Sequence, residues 1–151
     1  MRPTSPLRPI QSAGSAINTG PGRVLLFVYG LFSVAAGARA GVQIATKFDE
    51  ARLAYLLSAF AALVYVVATV AFARGGRGGR RLAIGCLCVE LLGVLTVGAL
   101  SVLDRAAFPD ETVWSQFGRG YGFVPLALPV LGLLWLRATP EPGAADQATA
   151  R

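Results

Sequence analysis

Residues 53–73, LAYLLSAFAALVYVVATVAFA, run for 21 positions without one charged side chain. A helix rises 1.5 Å per residue, so about 20 apolar residues cross the roughly 30 Å hydrocarbon core of a bilayer. A helix lying on a soluble core would instead show a polar stripe at a period of 3.6. This run therefore places the chain in a membrane and raises the same question for every other apolar stretch.

Three more stretches qualify: residues 24–45, 82–103 and 121–136. The last is short, and Pro125 and Pro129 remove backbone donors near its start. Inside a bundle, neighbouring helices can satisfy the freed carbonyls. The expected fold is all-α, a four-transmembrane-helix bundle over residues 23–137. Composition agrees, with only 15% charged residues against about 25% in soluble domains. The flanks, residues 1–22 and 138–151, are rich in Pro, Gly, Ser and Ala and have too little apolar surface to fold alone. Both read as disordered tails.

The N-terminal region has a second reading. A basic segment, an apolar stretch and Ala38-Arg39-Ala40 resemble a signal peptide ending in a small-residue cleavage site, which would remove residues 1–40. Against this, apolar character continues through residues 41–45, and the basic segment is long. An uncleaved first span is the favoured reading.

Cytoplasmic loops carry the excess of Lys and Arg. With four spans, one side collects Arg2, Arg8, Arg23, Arg74, Arg77, Arg80, Arg81, Arg137 and Arg151, nine cations. The other holds Lys47, Arg52, Arg105 and Arg119, which is four. Both termini are thus expected in the cytoplasm of a multi-pass cell-membrane protein. The connector RGGRGGRR at residues 74–81 lacks the Lys-Ser/Thr ending of a phosphate loop and is too short for an independent RNA-binding segment. Its four arginines, Arg74, Arg77, Arg80 and Arg81, read as contacts to anionic lipid headgroups.

Little here can perform chemistry. The chain has no histidine, the commonest acid/base group and metal ligand. Cys86 and Cys88 stand two positions apart, about 200° around a helix, and cannot readily share a metal or pair. No metal, cofactor or nucleic acid is expected. Two ionisable residues, Arg39 and Glu90, fall well inside spans. Such groups are costly, face the bundle, and are functional candidates by default. They form a candidate intramembrane charge pair, although helix rise separates them by about 10 Å in depth. Ser33, Gly37 and Gly41 form a small-residue stripe at which a second helix could pack, within the chain or from another copy.

The one long polar-aromatic stretch is residues 104–123, DRAAFPDETVWSQFGRGYGF. Pro109, Asp110 and Glu111 suit a helix start, and Gly118 a stop. A short interfacial helix over residues 109–117 is expected, lying on the outer leaflet with Trp114 as anchor. It would close the bundle, or act as a lid whose polar rim is Asp104, Asp110, Glu111, Arg119 and Tyr121.

The strings TKFDEA, YLLSAFAALVYVVATVA, FPDETVWSQFGRGYGFVPL and PVLGLLWLR resemble a family of small four-helix integral membrane proteins of actinobacteria. The resemblance spans about residues 24–137. It implies the four-helix architecture and an actinobacterial membrane, and carries no activity or cofactor. The function expected is non-enzymatic: an accessory or scaffold subunit of the cell envelope, in contact with lipid and with other copies or a larger complex. The alternative is a small oligomeric transporter or proton- or ion-coupled carrier using Glu90 and Arg39. An enzyme acting on lipid has little support, because no nucleophile has an evident base.

Overall fold

A computed structural model of the chain describes residues 20–139. The expected tails at residues 1–19 and 140–151 lie outside the described residues. Within them every regular element is a helix: α1 (Gly20–Lys47), α2 (Arg52–Arg74), α3 (Gly76–Leu103), a 3-10 segment (Ser115–Tyr121) and α4 (Val124–Ala138). α1, α2 and α3 are each long and apolar enough to cross a membrane. The 3-10 segment and α4, joined at a 99° bend, make a fourth candidate only if counted together.

Two boundaries differ most from expectation. α1 begins at Gly20 and therefore takes in part of the supposed tail. The expected connector RGGRGGRR is almost entirely helix: α2 ends at Arg74, Gly75 alone turns the chain, and α3 starts at Gly76. Glycine costs a helix about 1 kcal/mol relative to alanine, so local preference argued for a loop. Tertiary packing overrides it. Gly75 and Gly76 adopt positive φ, 61° and 67°, to make the reversal. Gly79 then lies so close to α2 that a Cβ there would sit 2.7 Å from the Ala71 carbonyl oxygen.

α1 packs on α2 through Leu25, Tyr29, Ala36 and Ala40, all buried. The stripe Ser33, Gly37, Gly41 serves this contact only at its first member. Each four-residue step advances about 40° around the helix, so the stripe rotates away from α2. Ser33 meets Thr69 of α2 at 3.1 Å, whereas a Cβ on Gly37 or Gly41 would meet nothing within 4 Å. The alanines one position earlier carry the packing instead. α4 runs antiparallel to α3: Gly132 faces Leu87, and its C-terminal carbonyls reach Arg80. One apolar core runs through all four helices and includes Val113 and Trp114.

The segment between α3 and α4 is not a surface helix over residues 109–117. Residues 104–114 form bends and a turn, and the 3-10 helix begins at Ser115. Gln116, Phe117 and Gly118 take left-handed backbone angles, with φ of 50°, 60° and 77°. The physical reason is Trp114. It is 1% exposed, turned into the bundle and seated against α3 at Gly93, where a Cβ would come within 2.5 Å of its ring. Phe117 covers Gly98 in the same way, at 2.7 Å. Two aromatic side chains thus drop into two glycine notches on α3, and the left-handed residues 116–118 between Trp114 and α4 break any regular helix and turn the chain back.

Candidate functional site

The deepest polar group is Glu90, at the middle of α3 and 0% exposed. Its Oε2 accepts a 2.6 Å hydrogen bond from the Tyr29 hydroxyl of α1. Oε1 is buried and has no hydrogen-bond partner. The Tyr65 hydroxyl of α2 neighbours the same carboxyl group and accepts a 3.3 Å hydrogen bond from Trp114 Nε1. A polar line therefore links the α3–α4 segment to the carboxyl group through Trp114 and Tyr65, and Tyr29 closes it from α1. Rings enclose it: Tyr29 lies 6.0 Å from Tyr65 and 5.5 Å from Phe72, and Phe60 stands edge-on to Trp114 at 6.1 Å. In a low-dielectric interior each such bond is strong, and an unpaired partner would be expensive.

Arg39 does not pair with Glu90. Among the described residues the ion pairs are Lys47–Glu50 at 3.8 Å and Arg52–Asp49, both on the surface. The reason is register. Glu90 stands level with Tyr29, and Arg39 lies ten residues farther along α1, about 15 Å at helical rise. There Arg39 donates Nη1 to the Tyr121 hydroxyl at 2.7 Å and Nη2 to the Glu111 carbonyl at 3.1 Å. Its guanidinium carbon is 5.8 Å from the Tyr121 ring centroid. The expected charge pair is thus two separate contacts. One is a carboxyl–phenol lock between α1 and α3; the other is a guanidinium clasp between α1 and the segment before α4.

The expected rim residues are brought to one end of the bundle, each with its own contact. Asp104 accepts from the Ala107 amide at 3.2 Å. Asp110 accepts from the Tyr55 hydroxyl at 2.8 Å, which ties the segment to α2. Glu111 accepts from Gln116 Nε2 at 3.0 Å, and Arg119 donates to Gln116 Oε1 at 3.3 Å. Trp114, expected as an anchor on the outer leaflet beside this rim, is buried in the interior instead. Of the four arginines assigned to lipid, Arg80 has a different post: it donates to the carbonyls of Leu136 and Thr139 and caps the C-terminal end of α4. A cation there also meets the negative end of the helix dipole. Arg74, Arg77 and Arg81 are exposed at the same end.

Sequence reasoning missed Tyr29, Tyr65 and Gln116. The signal that could have found the first two is the need for partners around a lone Glu in a span. Gly93 and Gly98 on α3 likewise announced a notch for something large.

Helices of this length and composition, gathered around a sealed polar core, are those of a multi-pass helical membrane protein. No protein family, curated protein or solved structure matches the chain.

Proposed function

We propose that the chain is a four-span protein of the cytoplasmic membrane, of the actinobacterial type its sequence resembles, with both termini in the cytoplasm. It serves as a non-enzymatic accessory or scaffold subunit of the cell envelope. α4 alone is about 22 Å long at helical rise, short of a bilayer core. Taken together with the 3-10 segment, its partners on α3 nevertheless range from Gly98, under Phe117, to Arg80. That reach favours counting the bent pair as one span.

The observation that carries the accessory role is the sealing of Glu90. A carboxyl group with no exposed surface, hydrogen-bonded to a tyrosine on another helix, is spent on holding helices in register. Meanwhile α1 keeps Gly37 and Gly41 open on its outer side, where another helix can approach closely. The test is photocrosslinking in native membranes from probes at Gly37 and Gly41, with Leu63 on α2 as control. A discrete crosslinked partner from the α1 positions alone is expected. Labelling no partner from either α1 position would reject the role. For topology, an impermeant thiol reagent should modify Ala106→Cys in intact cells and leave Gly78→Cys untouched, both in a cysteine-free background.

The unpartnered Glu90 Oε1 favours one second reading, a proton- or ion-coupled carrier using Glu90 and Arg39. Proteoliposomes decide between them. The accessory role expects no proton flux, whereas flux abolished by Glu90→Gln would establish the carrier.

A further inference from the structure

Where α3 ends at Leu103, the following segment folds around an open pocket of about 330 Å³. Its walls carry Arg105, Arg119, Glu111 and Gln116, with Phe108 along one side. Ser101 and Ser115 also face it, but their hydroxyls are already committed. Ser101 Oγ accepts from the Gln116 amide at 2.7 Å and donates to the Gly98 carbonyl at 2.9 Å. Ser115 Oγ accepts from the Thr112 amide at 2.9 Å. The groups left to bind something are the charged ones.

Arg105 makes no side-chain hydrogen bond or ion pair among the described residues, and Arg119 gives one N–H to Gln116 Oε1. Glu111 uses Oε1 on Gln116 Nε2 and leaves Oε2 without a hydrogen bond. Gln116, fixed by its left-handed backbone and the bond to Ser101, bridges Glu111 to Arg119 and holds both in place. The pocket thus presents two guanidiniums with most of their donors unused, and one carboxylate oxygen beside them. Guanidiniums match phosphate oxygens in charge and in fork geometry. A bare anion would be repelled by the neighbouring carboxylate, and an uncharged ligand would leave the charge of both guanidiniums unpaired. A ligand carrying phosphate and amine together satisfies all three groups.

We propose that this pocket binds a phosphodiester bearing a primary amine, with Arg105 and Arg119 on the phosphate and Glu111 on the ammonium. The volume lies at the small end of ligand pockets, about 300–1,000 Å³, and suits a headgroup. A phosphatidylethanolamine-type lipid and soluble glycerophosphoethanolamine share this chemistry. A lipid ligand needs this end of the bundle at headgroup level, and the site is independent of the accessory role.

The test uses the full chain in detergent, titrated with short-chain phosphatidylethanolamine, phosphatidylglycerol and glycerophosphoethanolamine, with bound copies counted by native mass spectrometry. Phosphatidylethanolamine should bind about tenfold more tightly than phosphatidylglycerol, the gain of one charge-assisted contact. R105Q/R119Q should weaken phosphatidylethanolamine binding by tenfold or more. Glu111→Gln should keep phosphate binding and abolish the preference between the two lipids. If glycerophosphoethanolamine binds as tightly as the lipid, the ligand is soluble; if it binds far more weakly, the ligand is a lipid; either supports the site. Equal binding of the two lipids by the wild type would overturn the proposal, as would undiminished binding by R105Q/R119Q. Should that double variant fail to fold, Arg105→Lys and Glu111→Gln still decide. Both arginines are exposed, and an unchanged thermal midpoint serves as the folding control.

Discussion

Tyr29 and Glu90 stand 61 positions apart in sequence and 2.6 Å apart in space. Tyr29→Phe removes the donor and leaves a buried carboxyl group with neither oxygen bonded. Losing one partner of a buried polar pair costs about 1–3 kcal/mol, so a clearly lower thermal midpoint in detergent is expected. Glu90→Gln retains an acceptor for Tyr29 and should cost less; the order of the two midpoints checks the assignment. Gly93 gives a second test at this scale. Alanine there places a methyl group within 2.5 Å of the Trp114 ring. Overpacking of this kind costs about 1–3 kcal/mol. Because Trp114 must shift, its emission should move to the red; unchanged emission and stability would contradict the seating described. Glu90 and Arg39 were legible as residues of interest because charge is rare in a span. Their partners were not, because a pairing across helices depends on the relative slide of α1 and α3, which no single helix encodes.

Individual helices were legible to different degrees. α2 declares itself through 21 uncharged residues, and the structure moves its ends by a single residue each, to Arg52 and Arg74. The start of α3 was hidden, since four glycines in residues 75–79 argue locally against a helix and the contacts that overrule them come from α2 and α4. Arg80 is the clearest case. By composition it belongs to a cytoplasmic charge cluster, and in the fold it satisfies the carbonyl ends of α4. Arg80→Ala should fray the last turn of that helix, at about 0.3–1 kcal/mol for the lost dipole contact, with more for the carbonyls left unpaired. Faster amide exchange around residues 136–139, with α1 unchanged, is the expected outcome. The segment before α4 was misread because Pro109, Asp110 and Glu111 make a good helix start. The inward demand of Trp114 and Phe117 outweighs that local signal.

At the scale of the molecule, the end of the bundle near Leu103 is held by side chains reaching across elements. Arg39 binds Tyr121 and the Glu111 carbonyl, and Tyr55 binds Asp110. The opposite end is held by Arg80 and by the close passage of Gly79 past α2. Arg39→Ala should release the segment over residues 104–123 from α1 while leaving the helices in place. The expected sign is faster proteolytic cleavage within that segment, with helical circular dichroism unchanged.

Trp114 also bears on the order in which the protein is made. Synthesis runs from the N-terminus, so α1, α2 and α3 are complete before the residue that fills the Gly93 notch leaves the ribosome. Until then Glu90 and its phenols lie below an open slot. Residues 104–139 therefore act as a stopper fitted into a vessel already shaped, and a chain truncated after Leu103 and released into the membrane should be more open to water at its centre than the full chain.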